Sequence, residues 1–227
     1  MREIVWDTET TGFDPNAGDR LVEIGAIELH QHIPTGRVYH QYINPERDMP
    51  SGAFEVHGLS IEFLKDYPTF SKVGQAFLDF IGDSTLIAHN ATFDMRFINA
   101  ELGWANLPTI PANRALDTLE IARKKFPGAQ NSLDALCRRF GVNNSAREKH
   151  GALLDSEILA EVYLELIGGR QPDFSLNIVG GSDAHNENSW VAKPRPNALY
   201  SLRTTDETAA HDAFVDALGD DAVWKMK

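Results

Sequence analysis

Two carboxylates stand one residue apart where an apolar run near the start of the chain ends. Ile4-Val5-Trp6 leads into Asp7 and Glu9 within the stretch IVWDTETTG. Side chains alternate along a strand, so Asp7 and Glu9 share one face, roughly 7 Å apart along the chain. Like charges this close repel and raise each other's pKa. The spacing therefore indicates either a cation between the two carboxylates or a proton held on one of them.

A third carboxylate falls on the apolar side of a helix predicted over residues 151–167. At about 100° per residue, Asp155 lies in the middle of the apolar stripe, whereas the three glutamates of this helix take the other side. An ionised carboxylate facing the core is costly unless it is paired or bound to a metal ion. Both an arginine or amide partner and a metal ion satisfy that requirement, and this helix alone does not separate them.

Two further polar residues follow the same logic with weaker individual signals. Asp94, in LIAHNATFDMRF, comes just after a short apolar strand and in the first turn of a helix, where the helix dipole alone would favour an acid. His150 precedes Asp155 by five residues, an offset that does not place both on one helical face. We therefore expect His150 in the loop that enters the helix, above whatever Asp155 binds.

Taken together, the four acids indicate a metal site. Asp7, Glu9, Asp94 and Asp155 each lie at an apolar strand end or helix face, so they converge at one edge if the helices pack on the sheet. Four ionised carboxylates in one pocket require cations, and oxygen ligands select Mg²⁺ or Mn²⁺. A pair of such ions is the usual arrangement for hydrolysing or transferring phosphate groups.

The elements that would position these residues form a strand-rich first part and a helix-rich second part. Strands are predicted at 3–7, 21–29, 37–43 and 85–88, and helices at 69–82, 92–102, 116–126, 132–140 and 151–167. This order predicts an α/β protein with a mixed sheet and helices packed on it. Residues 177–197 are polar and read as a flexible linker, and a helix pattern returns at 204–218.

Composition limits the class of protein. No stretch is apolar for about 18 residues, the start lacks the apolar core of a signal peptide, and there is one cysteine, so we expect a cytoplasmic protein with no membrane partner. The net charge is −12, from 21 basic and 33 acidic residues. A chain this acidic repels a phosphate backbone at long range. If it acts on nucleic acid, metal ions or a partner protein must supply the attraction.

Three stretches occur in the order DTETTG at 7–12, HNATFD at 89–94 and HGALLD at 150–155. They resemble the three motifs of the DEDDh family of 3′→5′ exonucleases. The resemblance covers nearly all of residues 1–170 and is closest to members that proofread for a bacterial replicative DNA polymerase. It implies an exonuclease domain over 1–170 with a ribonuclease-H-like, five-stranded mixed sheet flanked by helices, followed by a flexible C-terminal tail.

The same resemblance implies a role for each site residue. Asp7, Glu9, Asp94 and Asp155 would hold two Mg²⁺ or Mn²⁺ ions, and His150 would be the general base. Thr10 and His57 would contact the terminal nucleotide of a single-stranded or frayed DNA 3′ end. The product would be a nucleoside 5′-monophosphate.

The tail carries the expected protein partners. Residues 171–176, QPDFSL, resemble a peptide that docks on the sliding clamp through Gln171, Phe174 and Leu176. Residues 198–227 resemble a segment that binds the polymerase catalytic subunit. Two alternatives remain open from the sequence: a 3′→5′ exoribonuclease that trims RNA ends, and a non-catalytic adaptor that stabilises a polymerase.

Overall fold

The structure is a computed structural model that describes residues 1–145, 147, 149–169, 203–219 and 223–225. The chain divides into two compact units, Met1–Ser175 and Leu176–Lys227. The predicted clamp peptide at 171–176, with Gln171, Phe174 and Leu176, and the linker at 177–197 lie outside the described residues.

A five-stranded sheet forms the centre of the first unit, in the order β3-β2-β1-β4-β5. The strands are β1 (Arg2–Thr10), β2 (Leu21–His30), β3 (Ile33–Tyr42), β4 (Thr85–Ala88) and β5 (Ala115–Asp117). β1 pairs antiparallel with β2 and parallel with β4, and β5 pairs parallel with β4. The predicted mixed five-stranded sheet is therefore confirmed, and β1 lies at its centre.

Helices flank the sheet at positions close to those predicted. They are α1 (Ser51–His57), α2 (Ile61–Leu64), α3 (Phe70–Ile81), α4 (Ala91–Trp104), α5 (Thr118–Lys125), α6 (Leu133–Phe140) and α7 (Ala152–Leu166). The short helices α1 and α2 were not predicted. The helix predicted from Leu116 begins at Thr118, because Asp117 is extended in β5 and caps α5 by accepting a hydrogen bond from the backbone nitrogen of Leu119.

The alternation of β1 side chains divides the core between the two faces of the sheet. Ile4 and Trp6 pack with residues of α3 and α4 on one face. Val5 packs with Leu159 and Tyr163 of α7 on the other face. The end of β1 is therefore the place where helices from both sides of the sheet meet.

The described part of the second unit is a helix, α8 (Thr205–Ala217), and a single turn at Val223–Lys225. Thr204 and Glu207 form a reciprocal capping box that starts α8 where the sequence predicts it. Among the residues that the structure describes, none of the helices has the length and apolar character needed to cross a membrane.

Candidate active site

A cavity of about 740 Å³ opens where β1 ends, beside the residues that follow β4 and the first turn of α7. It is lined by all seven site residues predicted within residues 1–170: Asp7, Glu9, Thr10, His57, Asp94, His150 and Asp155. The chain thus brings together residues that are up to 148 positions apart in the sequence, since Asp155 follows Asp7 by that number.

Asp7 and Glu9 enter the cavity from the last residues of β1. Asp7 is partly buried, and Glu9 is buried with 7% of its surface exposed. Oε1 of Glu9 has no hydrogen-bond partner among the described residues, although it is shielded from solvent. A buried carboxylate oxygen without a donor is costly unless a cation or a proton satisfies it.

Asp94 reaches the site from the opposite face of the sheet. It lies in the first turn of α4, is 2% exposed, and its Oδ1 accepts a hydrogen bond of 2.7 Å from Oγ1 of Thr8. Thr8 shares the face of Ile4 and Trp6, which is the side on which α4 packs. The hydroxyl of Thr8 therefore joins Asp94 to the strand that carries Asp7 and Glu9.

Asp155 is placed by a close approach between α7 and β2. A methyl group built at Gly25 would lie 2.2 Å from the backbone nitrogen of Leu153, so only glycine allows this contact. Gly25 lies opposite Asp7 in the pairing of β1 with β2. The start of α7 consequently passes over the end of β1, and Asp155, 2% exposed, faces the other carboxylates.

Arg147 and His150 complete this side of the cavity. Nε and Nη2 of Arg147 donate to Oδ1 and Oδ2 of Asp155 at 2.5 and 2.7 Å, and Nδ1 of His150 lies 3.3 Å from Oδ2. The backbone nitrogen of His150 donates to the carbonyl of Val56, which ties the loop to α1. His150 is half exposed, as expected for a residue of the loop that enters α7.

The electrostatics of the site separate Asp155 from the other acids. Burial raises the pKa of Asp155, but hydrogen bonds from His150 and Arg147 more than offset this effect and hold the pKa below its usual value. Asp155 is therefore ionised near neutral pH. The sequence left open whether Asp155 pairs with an arginine or with a metal ion, and Arg147 is such a partner. The cavity still contains more carboxylates than this one arginine neutralises.

The pKa values of the other three acids, Asp7, Glu9 and Asp94, are raised. Burial, with repulsion from Asp94 and Glu9, raises the pKa of Asp7 well above its usual value. Burial raises the pKa of Glu9 to about 8, and repulsion from neighbouring carboxylates adds to the rise. Burial raises the pKa of Asp94 to about 7 against the opposing hydrogen bond from Thr8. Three carboxyls in one cavity thus resist ionisation. A divalent cation bound there would stabilise their ionised forms.

The geometry fits a metal ion. Glu9, His150 and Asp155 each offer a ligand atom, and these atoms lie within 4.8 Å of one another. Asp7 and Asp94 are outside that group of three but line the same cavity. Together with the unsatisfied oxygen of Glu9, this donor set suits a hard cation with mostly oxygen ligands.

The two predicted nucleotide contacts, Thr10 and His57, also line the cavity. Oγ1 of Thr10 donates to the carbonyl of Gly12 at 2.6 Å, so its hydroxyl stabilises the turn after β1. His57 is buried, and its Nδ1 accepts a hydrogen bond from the backbone nitrogen of Leu59 at 3.0 Å. Burial lowers the pKa of His57, which favours the neutral ring. Both residues face the cavity, and their contact with a nucleotide stays a prediction.

Sequence reasoning missed Thr8 and Arg147. Thr8 lies between the two acids of the first motif, and alternation alone assigned it to the side away from them. Arg147 stands three residues before His150 in a polar loop, where an arginine is ordinarily solvated. The excess of acids was the available signal for a nearby cation, but it did not indicate which basic residue supplies it.

Comparison with known proteins agrees with this fold. The Exonuclease family, RNase_T, matches residues 4–163. The nuclease domain of 3′hExo, described as a DEDDh family member bound to rAMP, superposes with a TM-score of 0.64 at 19% identity, covering 73% of this chain and 91% of that one. The fold is thus that of the DEDDh exonucleases, and the chain belongs to the exonuclease family.

Full-length relatives identify the branch of the family. The DNA polymerase III subunit epsilon of Rickettsia felis is 55% identical over 222 residues, covering 96% of this chain and 97% of the relative. That of Escherichia coli strain K12 is 38% identical over 237 residues, covering 99% and 97%. Within the exonucleases, the chain belongs with the DNA polymerase III epsilon subunits, the 3′→5′ proofreading nucleases.

Proposed function

We propose that the chain removes nucleotides from the 3′ end of DNA by hydrolysis with two Mg²⁺ or Mn²⁺ ions, and that it proofreads for a replicative polymerase. One observation carries the assignment: Glu9, His150 and Asp155 offer ligand atoms within 4.8 Å in a cavity that Asp7 and Asp94 also line. When bound, the ions would supply the positive charge that stabilises the attacking and leaving oxygens of the phosphodiester.

The ligand roles are those that the resemblance to the family implies. Glu9 and Asp155 face one another and would share one ion with Asp7, whereas Asp94 enters from the other side of the sheet and would hold the second ion with Asp7. All four carboxylates would then be ionised, since a bound cation favours the charged form and lowers each pKa.

His150 would act as the general base. Its Nδ1 lies 3.3 Å from Oδ2 of Asp155, so a proton on Nδ1 is held by that carboxylate and leaves Nε2 to accept the proton of the attacking water. The ring is half exposed and lines the cavity, which gives water access to it. The product would be a deoxynucleoside 5′-monophosphate.

The rest of the cavity suits a terminal nucleotide. Phe13, Val56 and Phe93 supply apolar surface beside the carboxylates, and bases stack on or pack against such surfaces without regard to sequence. Thr10 and His57 would contact the sugar and the base. A frayed or mispaired end reaches this cavity more readily than a paired end, because it is already single-stranded.

The acidic chain requires help to hold DNA. We infer that residues 198–227 bind the polymerase catalytic subunit and that residues 171–176, through Gln171, Phe174 and Leu176, bind the sliding clamp. Exposed Phe214 and Trp224 in the described part of the tail support a protein-binding role. Tethering raises the effective concentration of DNA at the site and offsets the net charge of −12. Work at the replication fork would place the chain in the bacterial cytoplasm.

The activity is tested with 5′-labelled single-stranded DNA and RNA oligonucleotides of one sequence. Wild type, Asp7→Ala and His150→Gln are compared in Mg²⁺ and in EDTA. Stepwise shortening of DNA from the 3′ end, lost in EDTA and in Asp7→Ala and reduced about 10²–10⁴-fold in His150→Gln, is expected. Preference for RNA would indicate the RNA-trimming enzyme, and no cleavage of either strand, with or without added polymerase, would indicate the adaptor.

The partner assignments need a separate experiment on the full chain. Phe214→Ala with Trp224→Ala should abolish co-elution with the polymerase catalytic subunit, and Phe174→Ala with Leu176→Ala should abolish co-elution with the clamp. Asp212→Ala, an exposed change on α8, is the control that should keep both complexes. Unchanged elution of the double variants would contradict the assignments.

A further inference from the structure

Arg147 is a buried cation inside the carboxylate cluster. Its side chain is 8% exposed, and two of its nitrogens hold both oxygens of Asp155, at 2.5 and 2.7 Å. A two-pronged arginine–carboxylate pair is among the stronger hydrogen-bonded arrangements in proteins. Arg147 therefore binds the acid whose ligand atom lies within 4.8 Å of those of Glu9 and His150.

A guanidinium and a divalent ion do not share this acid without cost. Arginine keeps its positive charge at every pH at which the protein is folded. An ion held between Glu9 and Asp155 would lie beside that charge, and the repulsion would be only weakly screened in a buried cavity. Arg147 and a metal ion therefore compete for Asp155.

Arg147 also engages His150. Its Nη2 lies 2.9 Å from Nδ1 of His150. Because arginine only donates, this contact requires Nδ1 to accept, with the ring proton on Nε2. It therefore competes with the contact of 3.3 Å in which the same Nδ1 would donate to Oδ2 of Asp155. A proton on Nε2 is the reverse of the arrangement in which Nδ1 donates to Asp155 and Nε2 accepts a proton from water. When Nδ1 accepts from Arg147, His150 is not arranged as a base.

Asp134 is a third partner of Arg147. Its Nη1 donates to Oδ1 of Asp134 at 2.7 Å, and the same oxygen accepts a hydrogen bond from Asn144. The side chain of Asp134 is 46% exposed and lines the cavity. The guanidinium can leave Asp155 and stay paired with Asp134, so its release does not strand a buried charge.

We propose that Arg147 is a positioning residue that competes with the metal ion for Asp155 and couples metal binding to the release of His150. Without metal, it neutralises Asp155 and occupies Nδ1 of His150. As metal binds Asp155, the guanidinium turns away on Asp134 and both groups become available. This inference rests on the proposed metal site, and its experiment distinguishes the two.

The test measures Mn²⁺ affinity by titration calorimetry on the full chain, with no substrate present. Arg147→Ala should bind Mn²⁺ about tenfold more tightly than wild type, which corresponds to about 1.4 kcal/mol. Arg138→Ala is the matched control, because it removes one exposed positive charge from α6, the helix of Asp134, and should leave the affinity unchanged. Unchanged or weaker binding by Arg147→Ala would show that Arg147 supports the ligand geometry instead, and would overturn the proposal.

A spectroscopic readout follows the arginine itself. The Nε–H resonance of Arg147, assigned by its absence in Arg147→Lys, should shift progressively as Mg²⁺ is added to wild type, because its hydrogen bond to Asp155 breaks. A resonance that does not move while Mg²⁺ binds would also overturn the competition. Equal Mn²⁺ binding by wild type and Asp155→Asn would instead contradict the metal site, and with it the proposed function.

Discussion

Oγ of Ser156 lies 3.0 Å from the carbonyl oxygen of Gly25 and 2.7 Å from that of Ala152, so its single hydroxyl proton is shared between β2 and the first turn of α7. Gly25 lies directly opposite Asp7 in the strand pairing, and Ser156 follows Asp155. The spacing between Asp7 and Asp155 is therefore set by side-chain and backbone contacts that involve neither carboxylate. Stability of the fold and geometry of the site depend on the same few atoms.

Gly25→Ala should damage both the fold and the site. The added methyl group meets the backbone of Ala152 and Leu153 at 2.2–2.4 Å, and backbone atoms do not move aside as a flexible side chain would. Overpacking of this kind costs about 1–3 kcal/mol, and the contact with backbone favours the upper end. Urea denaturation measures the loss, and Mn²⁺ titration of the folded variant should show weaker binding as Asp155 is displaced.

Gly103→Ala is the matched control. Gly103 lies within α4, and a methyl group there meets no atom within 4 Å. Alanine in a helix interior is favoured over glycine by roughly 0.5–1 kcal/mol, so this variant should be as stable as wild type or slightly more so. Equal stability of the two alanine variants would contradict the role given to Gly25.

Thr8→Val tests the link between β1 and Asp94. Valine has nearly the shape of threonine but cannot donate to Oδ1 of Asp94, so the carboxylate loses the partner that orients it. Loss of such a supporting contact typically weakens metal affinity about 10–100-fold. The Mn²⁺ concentration needed for half-maximal DNA hydrolysis should rise accordingly. Thr35→Val, at an exposed position bonded to Glu28, should leave it unchanged, and a rise in both variants would contradict a specific role for Thr8.

A site residue could be predicted from the sequence where its type conflicts with the residues around it. Asp7, Glu9 and Asp155 stand out because an acid at an apolar strand end or on an apolar helix face conflicts with its surroundings, and that conflict is visible in the periodicity. The strands and long helices were predictable for the same reason. Strand β5, with three residues, is too short to leave a pattern, and α1 and α2 lack a continuous apolar stripe.

Thr8 and Arg147 leave no such signal. The hydrogen bond of Thr8 depends on which face of the sheet α4 covers, and that is a property of the topology. Arg147 lies in a polar loop, where its charge conflicts with nothing nearby in the sequence. Its importance arises only when the loop folds back over Asp155, eight residues later in the chain but across the entrance to α7.

Glu101→Ala should destabilise the loop that lines the cavity after the first motif. Glu101 is 1% exposed and accepts two hydrogen bonds from Arg20, at 2.8 and 2.9 Å, and one from the backbone of Leu21. Removing one partner of a buried ion pair costs about 3–5 kcal/mol. Because 24% of the Arg20 side chain is exposed, we expect the lower end of this range in urea denaturation.

Arg37→Ala provides the contrast. Arg37 also pairs with a carboxylate, that of Glu28, but 65% of its side chain is exposed. Glu28 keeps Arg2 and Thr35 as partners, and an exposed pair contributes roughly 0–1 kcal/mol. A loss with Arg37→Ala as large as that with Glu101→Ala would contradict the distinction between buried and exposed ion pairs in this fold.

The stability of the chain in EDTA should fall as pH rises from about 5 to about 8. The pKa of Glu9 is raised from 4.5 to about 8 and that of Asp94 from 3.8 to about 7, so the folded state binds more protons than the unfolded state within this window. The free energy of unfolding then decreases with pH, by at most about 1.4 kcal/mol per pH unit for each group. Asp155 has a lowered pKa and acts in the opposite sense, with its contribution lost only in more acidic solution.

Thermal unfolding measured at intervals from pH 5 to 9 tests this dependence. In EDTA the midpoint should decline across the window, and Glu9→Gln should decline less, because glutamine does not ionise. In excess Mg²⁺ the decline should vanish or reverse, since the cation binds the ionised carboxylates that are destabilising without it. A midpoint in EDTA that rises between pH 5 and 8 would show that these carboxyls are ionised in the folded chain without metal.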